Sequence, residues 1–510
     1  YYRIEQVPPG FNSDEAVGAV GALETLRHGL RLYYAGQGGG GALGFYVAAL
    51  SFALFGPGVA TIRGTAAFAG TVSVLVTYFA TREMFRSTTG PGRARLLAAL
   101  AALGLATSLW HTQSSRVAFA AVGVPFLQVP GNYFLWRGLN TGRRIHFVAS
   151  GVFLASLTYI YLSGSFAPLV YLVFFLLQWL LATNKSQIPN LKSQISNPKS
   201  PALLKQHFRN LVICAGVAFV LFLPMLYFYL TAPELAAGRA QQAIFTNPLI
   251  NKGDPWGTLW RSIWGNLAAF GLSITWFQGR PPANPILPAP VSWLFLLGLA
   301  ISLWRVRRPP YLFTLVTWAI MLVPSILSPD LIPHTLRAVG AAPATYTLVA
   351  IGVMGILEIG DWMLEIGLKS RGLQSPTSNL QSPASNLKSL LSALVLLILA
   401  WTVAQPVYAG FRYYMVEWPK TNDARAAYHV YAVDLAADMS KETNPRATFL
   451  LPRDTAAGDV NPDYTVMFFY TGQASYAWVV DDEATLEATL NDAVRGRDVV
   501  HVVRWKTSKH

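Results

Sequence analysis

The chain has 510 residues, of which 53% are hydrophobic and only 13% are charged, against roughly 25% charged in an ordinary soluble domain. Its apolar residues recur in uncharged blocks long enough to cross a bilayer core of about 30 Å, which excludes an ordinary soluble fold. The formal net charge of +14 comes from short basic clusters between these blocks, a pattern typical of cytoplasmic membrane-protein loops that argues against nucleic acid as a partner.

The first segment, PPGFNSDEAVGAV, predicts a helix that begins beside the membrane. Ser13 is the predicted N-cap, and Asp14 and Glu15 fall in the first turn, where the helix dipole stabilises negative charge. Two interpretations stay open: a well-capped surface helix, or an ionised Asp14 that accepts a proton from a substrate hydroxyl. No Met precedes Tyr1, and we expect a hydrophobic helix before it.

The apolar block from Gly41 to Phe55 is shorter than a membrane span requires and predicts an interfacial or re-entrant helix on the outer leaflet. Alternate connections after it are rich in Lys and Arg, which places them in the cytoplasm and the residues after Phe411 outside. Ten candidate spans follow the short block, at 59–81, 95–110, 117–136, 145–163, 166–182, 208–230, 290–304, 310–327, 338–357 and 389–408.

Basic residues at the outer ends of spans are candidate ligands for an anionic substrate. The motif HTQSSR, from His111 to Arg116, closes one span, and the motif PHTLR, with His334 and Arg337, opens another. Arg63 lies just inside the first span. Such residues either anchor the protein to lipid headgroups or form part of a functional site, and both interpretations stay open.

The long outer connection, roughly Thr231 to Pro290, carries Trp256, Trp260 and Trp264 at a spacing of one helical turn. This spacing predicts an amphipathic helix at the membrane interface. The helix is either part of an aromatic belt or a lid over a lipid-linked substrate.

The tail from about Arg412 is richer in charge and predicts a small extracytoplasmic α/β domain, with a docking role rather than a catalytic one. The whole chain is therefore an all-α polytopic membrane protein with this additional domain. We divide it into an outer loop (1–58), a transmembrane domain (59–409) and the tail (410–510). In the tail we predict helices at Asp423–Ser440 and Glu483–Val494, and strands at Ala447–Leu451, Tyr476–Val480 and Val499–Trp505.

Several motifs occur together in a recognisable order. The Asp-Glu pair is followed by a short helix ending in LFGPGVATIR, a span with a basic turn TREMF, and later by SSRVAF and PHTLRAVGAAP. This order resembles the GT-C superfamily of membrane glycosyltransferases, in the bacterial branch related to protein O-mannosyltransferases and aminoarabinose transferases. The resemblance covers most of residues 1–408. It implies a sugar donor on polyprenyl or dolichyl phosphate, an inverting displacement and an outward-facing active site.

The resemblance also implies roles for individual residues. Asp14 would be the catalytic base, and Glu15 would orient it or the acceptor. Where metal-dependent oligosaccharyltransferases carry a second acidic motif, this chain has HTQSSR, which puts a required divalent metal in doubt. A metal held by these histidines and carboxylates stays open, although no motif spacing supports a dedicated site. The candidate residues for binding the substrate phosphate are Arg63, His111, Arg116, His334 and Arg337.

The expected function is hexosyl or pentosyl transfer from a polyprenyl-phosphate donor to a hydroxyl of a lipid, glycan or protein. The expected location is the outer face of a bacterial plasma membrane, with membrane lipid as a partner. The alternatives are a secondary transporter or flippase of lipid-linked sugars, or a polymer ligase. A transporter would need internal repeats or polar groups at mid-membrane, whereas the charged residues here gather at the outer rim.

Overall fold

The structure, a computed structural model, describes residues 2–32, 41–183, 203–234, 241–271, 286–370, 383–439, 448–452, 476–479 and 500–502. Within these ranges the chain is helical, apart from three short strands. The helices are α1 (Ser13–His28), α2 (Ala42–Phe55), α3 (Val59–Thr89), α4 (Pro91–Ala106), α5 (Leu109–Arg116), α6 (Gly123–Thr141), α7 (Arg144–Ser156), α8 (Ala167–Thr183), α9 (Leu203–Thr231), α10 (Pro255–Ala268), α11 (Ala289–Trp304), α12 (Pro309–Leu327), α13 (Ala342–Ser370), α14 (Pro383–Arg412), α15 (Asn422–Ala427) and α16 (Val430–Met439).

Six helical stretches in the described residues are long and apolar enough to cross a membrane, and the chain is a polytopic membrane protein. A seventh span results if α4 and α5, which meet at a 56° bend, are counted together. The predicted count of ten is not confirmed. One reason is length, because α7 has 13 residues and α11 has 16. The six are Val59–Thr89, Leu162–Leu181, Leu203–Thr231, Pro309–Leu327, Val339–Gly360 and Ala393–Lys420.

The spans pack into one bundle in which α3 contacts α4, α5 and α6, and α13 contacts both α4 and α11. Close approach of α11 and α13 depends on glycine. A Cβ on Gly298 would overlap the carbonyl oxygen of Leu348, and one on Gly352 would overlap that of Leu294. Small residues allow helix backbones in membranes to meet in this way.

Two of the loops predicted to be cytoplasmic, the one containing Arg93 and the one containing Arg305, meet at one end of this bundle. Arg305, at the end of α11, donates to Glu358 of α13 at 2.7 Å, and Arg93 of α4 lies 3.9 Å from the same carboxylate. The two loops are therefore on one side of the bundle, which supports the predicted alternation of loops.

The predicted interfacial block 41–55 forms α2, which packs against α1 and α3. Phe45 of α2 lies so close to Gly21 of α1 that a side chain there would overlap its ring. The two short helices therefore form a layer over the start of α3. The depth of α2 in the membrane stays a prediction.

After α14 the chain passes through a π-helical turn, Tyr413–Glu417, and a 3-10 turn, Trp418–Lys420. The single helix predicted at Asp423–Ser440 is instead divided into α15 and α16. The division falls at His429, whose φ of 45° lies outside the helical region. We refer to Tyr413–Met439 as the post-span segment.

The strands β1 (Thr448–Pro452), β2 (Tyr476–Val479) and β3 (Val500–Val502) form a parallel sheet in the order β2-β1-β3. They lie within about a residue of the predicted strands at their N-terminal ends. The helix predicted at 483–494 lies outside the described residues. The α/β domain as a whole, with the boundaries given above, therefore stays a prediction.

Candidate active site

The helix α1 begins with a capping box centred on Asn12. The side-chain oxygen of Asn12 accepts a hydrogen bond from the Asp14 N–H at 2.9 Å, and the Asn12 N–H donates to Glu15 at 3.1 Å. The predicted N-cap, Ser13, is therefore wrong by one residue. A capping box pairs the N-cap with an acid three positions later, and that relation holds from Asn12 to Glu15.

Glu15 is fully buried and paired with Arg63 of α3. Nε and Nη2 of Arg63 each donate to one carboxylate oxygen at 2.8 Å, and the backbone N–H of Ala118 donates to the carboxylate at 3.0 Å. With the Asn12 N–H, four hydrogen bonds hold the carboxylate. Glu15 thus attaches α1 to α3 and to the chain after α5, and its expected role in orienting the base or the acceptor stays a prediction.

The other donors of Arg63 are directed at the backbone of the N-terminal strap, which we define as residues 2–11. Nη1 donates to the carbonyls of Ile4, Glu5 and Pro8 at 2.9–3.4 Å, and Nη2 to that of Gly10 at 2.9 Å. Every nitrogen of this buried guanidinium has a protein partner, and the phosphate-binding role of Arg63 stays a prediction.

Arg116, at the end of α5, is the second arginine that binds the strap. It is buried, and its Nε and Nη2 donate to the carbonyls of Tyr2, Arg3 and Val7 at 2.8–3.1 Å. Arg116 therefore joins the end of α5 to the strap, and its phosphate-binding role stays a prediction.

The far side of the strap contacts the post-span segment. The Phe11 N–H donates to the carbonyl of Tyr428 at 2.7 Å, and Nδ2 of Asn12 donates to that of Ala427 at 2.8 Å. Burial raises the pKa of Tyr428 well above its usual range, with contributions from Tyr414 and Glu15, so this phenol stays neutral. Sequence reasoning missed these residues because no local pattern relates positions 415 apart.

Asp14 differs from Glu15 in being exposed. It lies one helical turn before Gly18, so the two share a face of α1. Gly18 lines an apolar groove of about 180 Å³ between α1, α2, α3 and the start of α6. The carboxylate is therefore on the face of α1 that also borders the groove. Other residues lining the groove are Phe45, Ile62, Phe68, Ala118 and Phe126.

His111 is not at the outer surface as predicted. It is buried, and its Nε2 lies 3.1 Å from the carbonyl oxygen of Gly70 in α3. The preceding residue, Trp110, donates from its indole nitrogen to the carbonyl of Thr335 at 3.0 Å. The helix α5 thus packs against α3 and the His334–Arg337 motif, and the phosphate-binding role of His111 stays a prediction.

Arg337 is engaged by a carboxylate close in sequence. Both Nη atoms donate to Asp330, with Nη2 at 2.9 Å from Oδ2, and Nη1 also contacts the Ser328 carbonyl at 3.3 Å. The backbone N–H of His334 donates to the Ser325 hydroxyl at 2.9 Å. The described contacts place this motif against α5 and the end of α12, and they do not join it to Asp14.

Two further features bear on the chemistry. Within the described ranges, no group of three or more His, Cys, Asp and Glu side chains is arranged to hold a metal ion. A cavity of about 40 Å³ between α3, α6, α12 and α13 is lined by Thr77, Gln128 and Thr317. A cavity of this size has room for a few water molecules, but not for a sugar.

Comparison of the sequence with protein-family models and with curated protein sequences gives no match. Comparison with solved structures gives several matches. The chain is similar to ArnT from Cupriavidus metallidurans in the apo state, with a TM-score of 0.52, 15% identity, and coverage of 97% of this chain and 85% of that one. For ArnT bound to undecaprenyl phosphate the TM-score is 0.54 and the identity is 15%, and the match covers 96% of this chain and 85% of that one.

The oligosaccharyltransferase AglB from Archaeoglobus fulgidus, in complex with an inhibitory peptide and a dolichol-phosphate, is also similar. The TM-score is 0.50 and the identity is 13%, and the match covers 92% of this chain and 60% of that one. At such identities the comparisons describe the fold. They bear out the resemblance drawn from the sequence at the level of the fold: this chain shares its fold with ArnT and AglB.

Proposed function

We propose that this protein transfers a sugar from a polyprenyl-phosphate donor to an acceptor hydroxyl, with Asp14 as the general base. One observation carries the proposal. Asp14 is an exposed carboxylate in the first turn of α1, on the same face as Gly18, which lines the apolar groove. A charged group beside an apolar groove suits a substrate with a lipid chain and a polar head.

The reaction would proceed as one displacement. Asp14 accepts the proton of the acceptor hydroxyl, whose oxygen forms a bond to the anomeric carbon of the sugar. The bond from that carbon to the phosphate oxygen breaks, and the polyprenyl phosphate leaves with the electron pair. Positioned bases of this kind typically contribute a 10²–10⁴-fold rate increase. Inversion at the anomeric carbon follows from the single displacement.

The groove is the proposed site for the first part of the polyprenyl chain. Its lining is mostly apolar and combines small, aliphatic and aromatic residues, such as Gly44, Ile62 and Phe126. Burial of apolar surface contributes roughly 25 cal/mol per Å², so the lipid would supply most of the binding energy. Two similar structures, ArnT bound to undecaprenyl phosphate and AglB in complex with a dolichol-phosphate, support a donor of this class.

Arg337 stays a candidate for holding the leaving phosphate, together with His334. The two Nη atoms of Arg337 already bind the Asp330 carboxylate in a bidentate geometry, and the same geometry suits phosphate oxygens. In this proposal the phosphate displaces Asp330, whose side chain is 30% exposed. Substrate binding would then exchange one anion for another at the same guanidinium.

The proposal includes an extracytoplasmic site in a bacterial plasma membrane, hexosyl or pentosyl transfer, and a lipid, glycan or protein acceptor. Transport of lipid-linked sugars has less support, because the cavity of about 40 Å³ found between α3, α6, α12 and α13 in the described residues is too small for a sugar. A polymer ligase would use the same donor chemistry and differ in its acceptor.

The test is transfer by the purified protein in liposomes, with a set of radiolabelled polyprenyl-phosphate sugars as donors. Asp14→Asn should lower the turnover at least 10²-fold without changing the melting temperature. Glu24→Gln is the matched control, since Glu24 is also an exposed acid on α1, and it should transfer normally. Normal turnover of Asp14→Asn would leave Asp14 as a surface residue and refute the proposal.

A further inference from the structure

Asn12 is a buried residue with hydrogen bonds in two directions. Its side-chain oxygen accepts from the N–H of Asp14, and its side-chain nitrogen donates to the carbonyl of Ala427. Next to it, the Phe11 N–H donates to the carbonyl of Tyr428. Two consecutive residues before α1 are thus joined to two consecutive residues of the post-span segment.

We propose that Asn12 is a positioning residue for Asp14, and that the post-span segment belongs through Asn12 to the active site. The proposal rests on the proposed role of Asp14 as the base. An N-cap requires only an oxygen acceptor, and Asn, Asp and Ser supply it about equally well. The amide nitrogen of Asn12 adds a donor that capping does not use, and this donor binds Ala427.

The contact between strap and post-span segment is close on the strap side. Gly10 has a φ of 66°, and a Cβ there would overlap the carbonyl oxygen of Tyr428 and approach Val430. Only glycine adopts this conformation without strain. The carbonyl of Gly10 accepts from Arg63 on the opposite side, so the strap is held between α3 and the post-span segment.

The surface that meets the strap is itself well packed. Tyr414 and Trp418 stack with ring centroids 5.1 Å apart, and Trp418 meets Tyr428 edge-on at 5.8 Å. All three rings are buried. The carbonyls that receive the Phe11 and Asn12 donors therefore belong to a fixed surface, which sets the direction of the first turn of α1. Displacement of a reacting group by about 1 Å can lower a rate by up to 10²-fold.

The first test separates positioning from capping by substitution at Asn12. Asn12→Asp and Asn12→Ser keep the cap acceptor and lose the donor to Ala427. Both should lower kcat about tenfold with little change in KM for the donor lipid, and Asn12→Ala should lower both kcat and the melting temperature. If Asn12 were only a cap, the Asp and Ser variants would have wild-type kcat, which would overturn the proposal.

The second test disturbs the same contact from the strap. Gly10→Ala should reproduce the loss of kcat, because its Cβ displaces the Tyr428 carbonyl. Gly29→Ala is the matched control: Gly29 also has a positive φ, of 81°, but no atom lies within 4 Å of the added Cβ. If the two variants had equal kcat values, the close contact of Gly10 with Tyr428 would make no difference, and any loss of kcat would come from the positive φ that both glycines share. That result would contradict the proposal.

A third measurement does not depend on sugar transfer. Hydrogen exchange of the full-length protein should show a protected Phe11 amide that loses protection in Asn12→Asp, while peptides from α3 stay unchanged. Unchanged exchange and unchanged kcat in Asn12→Asp would overturn the positioning role and leave the proposed function intact. A wild-type protein that transfers no sugar would overturn the proposed function, and the positioning role with it.

Discussion

Glu15 and Arg63 lie 48 positions apart in sequence and form a bidentate ion pair with both side chains fully buried. The pair joins the helix that carries Asp14 to the first long span. Removing one partner of such a pair is costly, because the other charge stays buried without compensation. The position of the proposed base therefore depends on a residue that never meets the substrate.

Substitution of Glu15 should reveal this dependence as a loss of stability. Glu15→Gln leaves the Arg63 guanidinium buried without its counter-charge, and we expect a cost of about 3–5 kcal/mol. The apparent melting temperature of the purified protein in detergent measures it. Glu24→Gln, at an exposed acid on the same helix, should melt like the wild type. A Glu15→Gln variant that also melts like the wild type would contradict the structural role of the pair.

If phosphate displaces the Asp330 carboxylate from Arg337, substitutions of these two residues should change KM for the donor in opposite directions. Asp330→Asn removes the competing anion and should lower KM for the donor several-fold. Arg337→Lys keeps the positive charge but loses the paired guanidinium donors that bind two oxygens at once. It should therefore raise KM for the donor. If the pair only fixes the loop, both substitutions would reduce the melting temperature and leave KM unchanged.

A larger side chain in the groove should weaken the binding of donors with long lipid chains more than that of donors with short ones. Gly44 lines the groove, and a Cβ added there would be in van der Waals contact with Ala120 at 3.5 Å and Ile160 at 3.7 Å. Gly44→Leu should raise KM for a long-chain donor more than for a short-chain analogue. Gly64→Leu on α3 is the matched control, because an added Cβ there meets nothing within 4 Å. A similar effect of both variants on both donors would argue against a lipid in the groove.

The predicted orientation can be tested with single cysteines in a background that replaces Cys214, the one cysteine of the sequence. Ser87, near the end of α3, is predicted in the cytoplasm, and Asp423, in α15, outside; both are exposed. An impermeant maleimide should label Asp423→Cys in intact cells and Ser87→Cys only after permeabilisation. The reverse pattern would place the proposed site in the cytoplasm.

The sequence predicted those features that have local causes. The start of α1 near Asp14 follows from a cap and an acidic first turn, and the three strands follow from short apolar runs. The predicted N-cap was wrong by one residue because Asn12 and Ser13 are both suitable caps, and only the pairing with Glu15 distinguishes them.

The roles of the arginines could not be predicted in the same way. A basic residue at the end of a span looks the same whether it binds a substrate phosphate, a lipid headgroup or a backbone carbonyl. Arg63 and Arg116 both bind backbone carbonyls, which every residue possesses, and Arg63 also binds Glu15, 48 positions away. Neither kind of partner can be recognised from the sequence around the arginine. The link from Asn12 to Ala427 spans most of the chain and depends entirely on the folded arrangement.

The strap meets the two arginines mainly through its carbonyl oxygens, with the Phe11 ring 5.9 Å from the Arg63 guanidinium as a side-chain contact. A hydrogen bond to a carbonyl does not depend on which residue carries it. Constraint on the sequence therefore falls on Gly10, which has a positive φ and a close neighbour, and on the buried side chains of Val7 and Phe11. In related proteins we expect the exposed strap positions to vary, while the two arginines, Gly10 and Asn12 are retained. The carbonyls concerned belong to Tyr2, Arg3, Ile4, Glu5, Val7, Pro8 and Gly10.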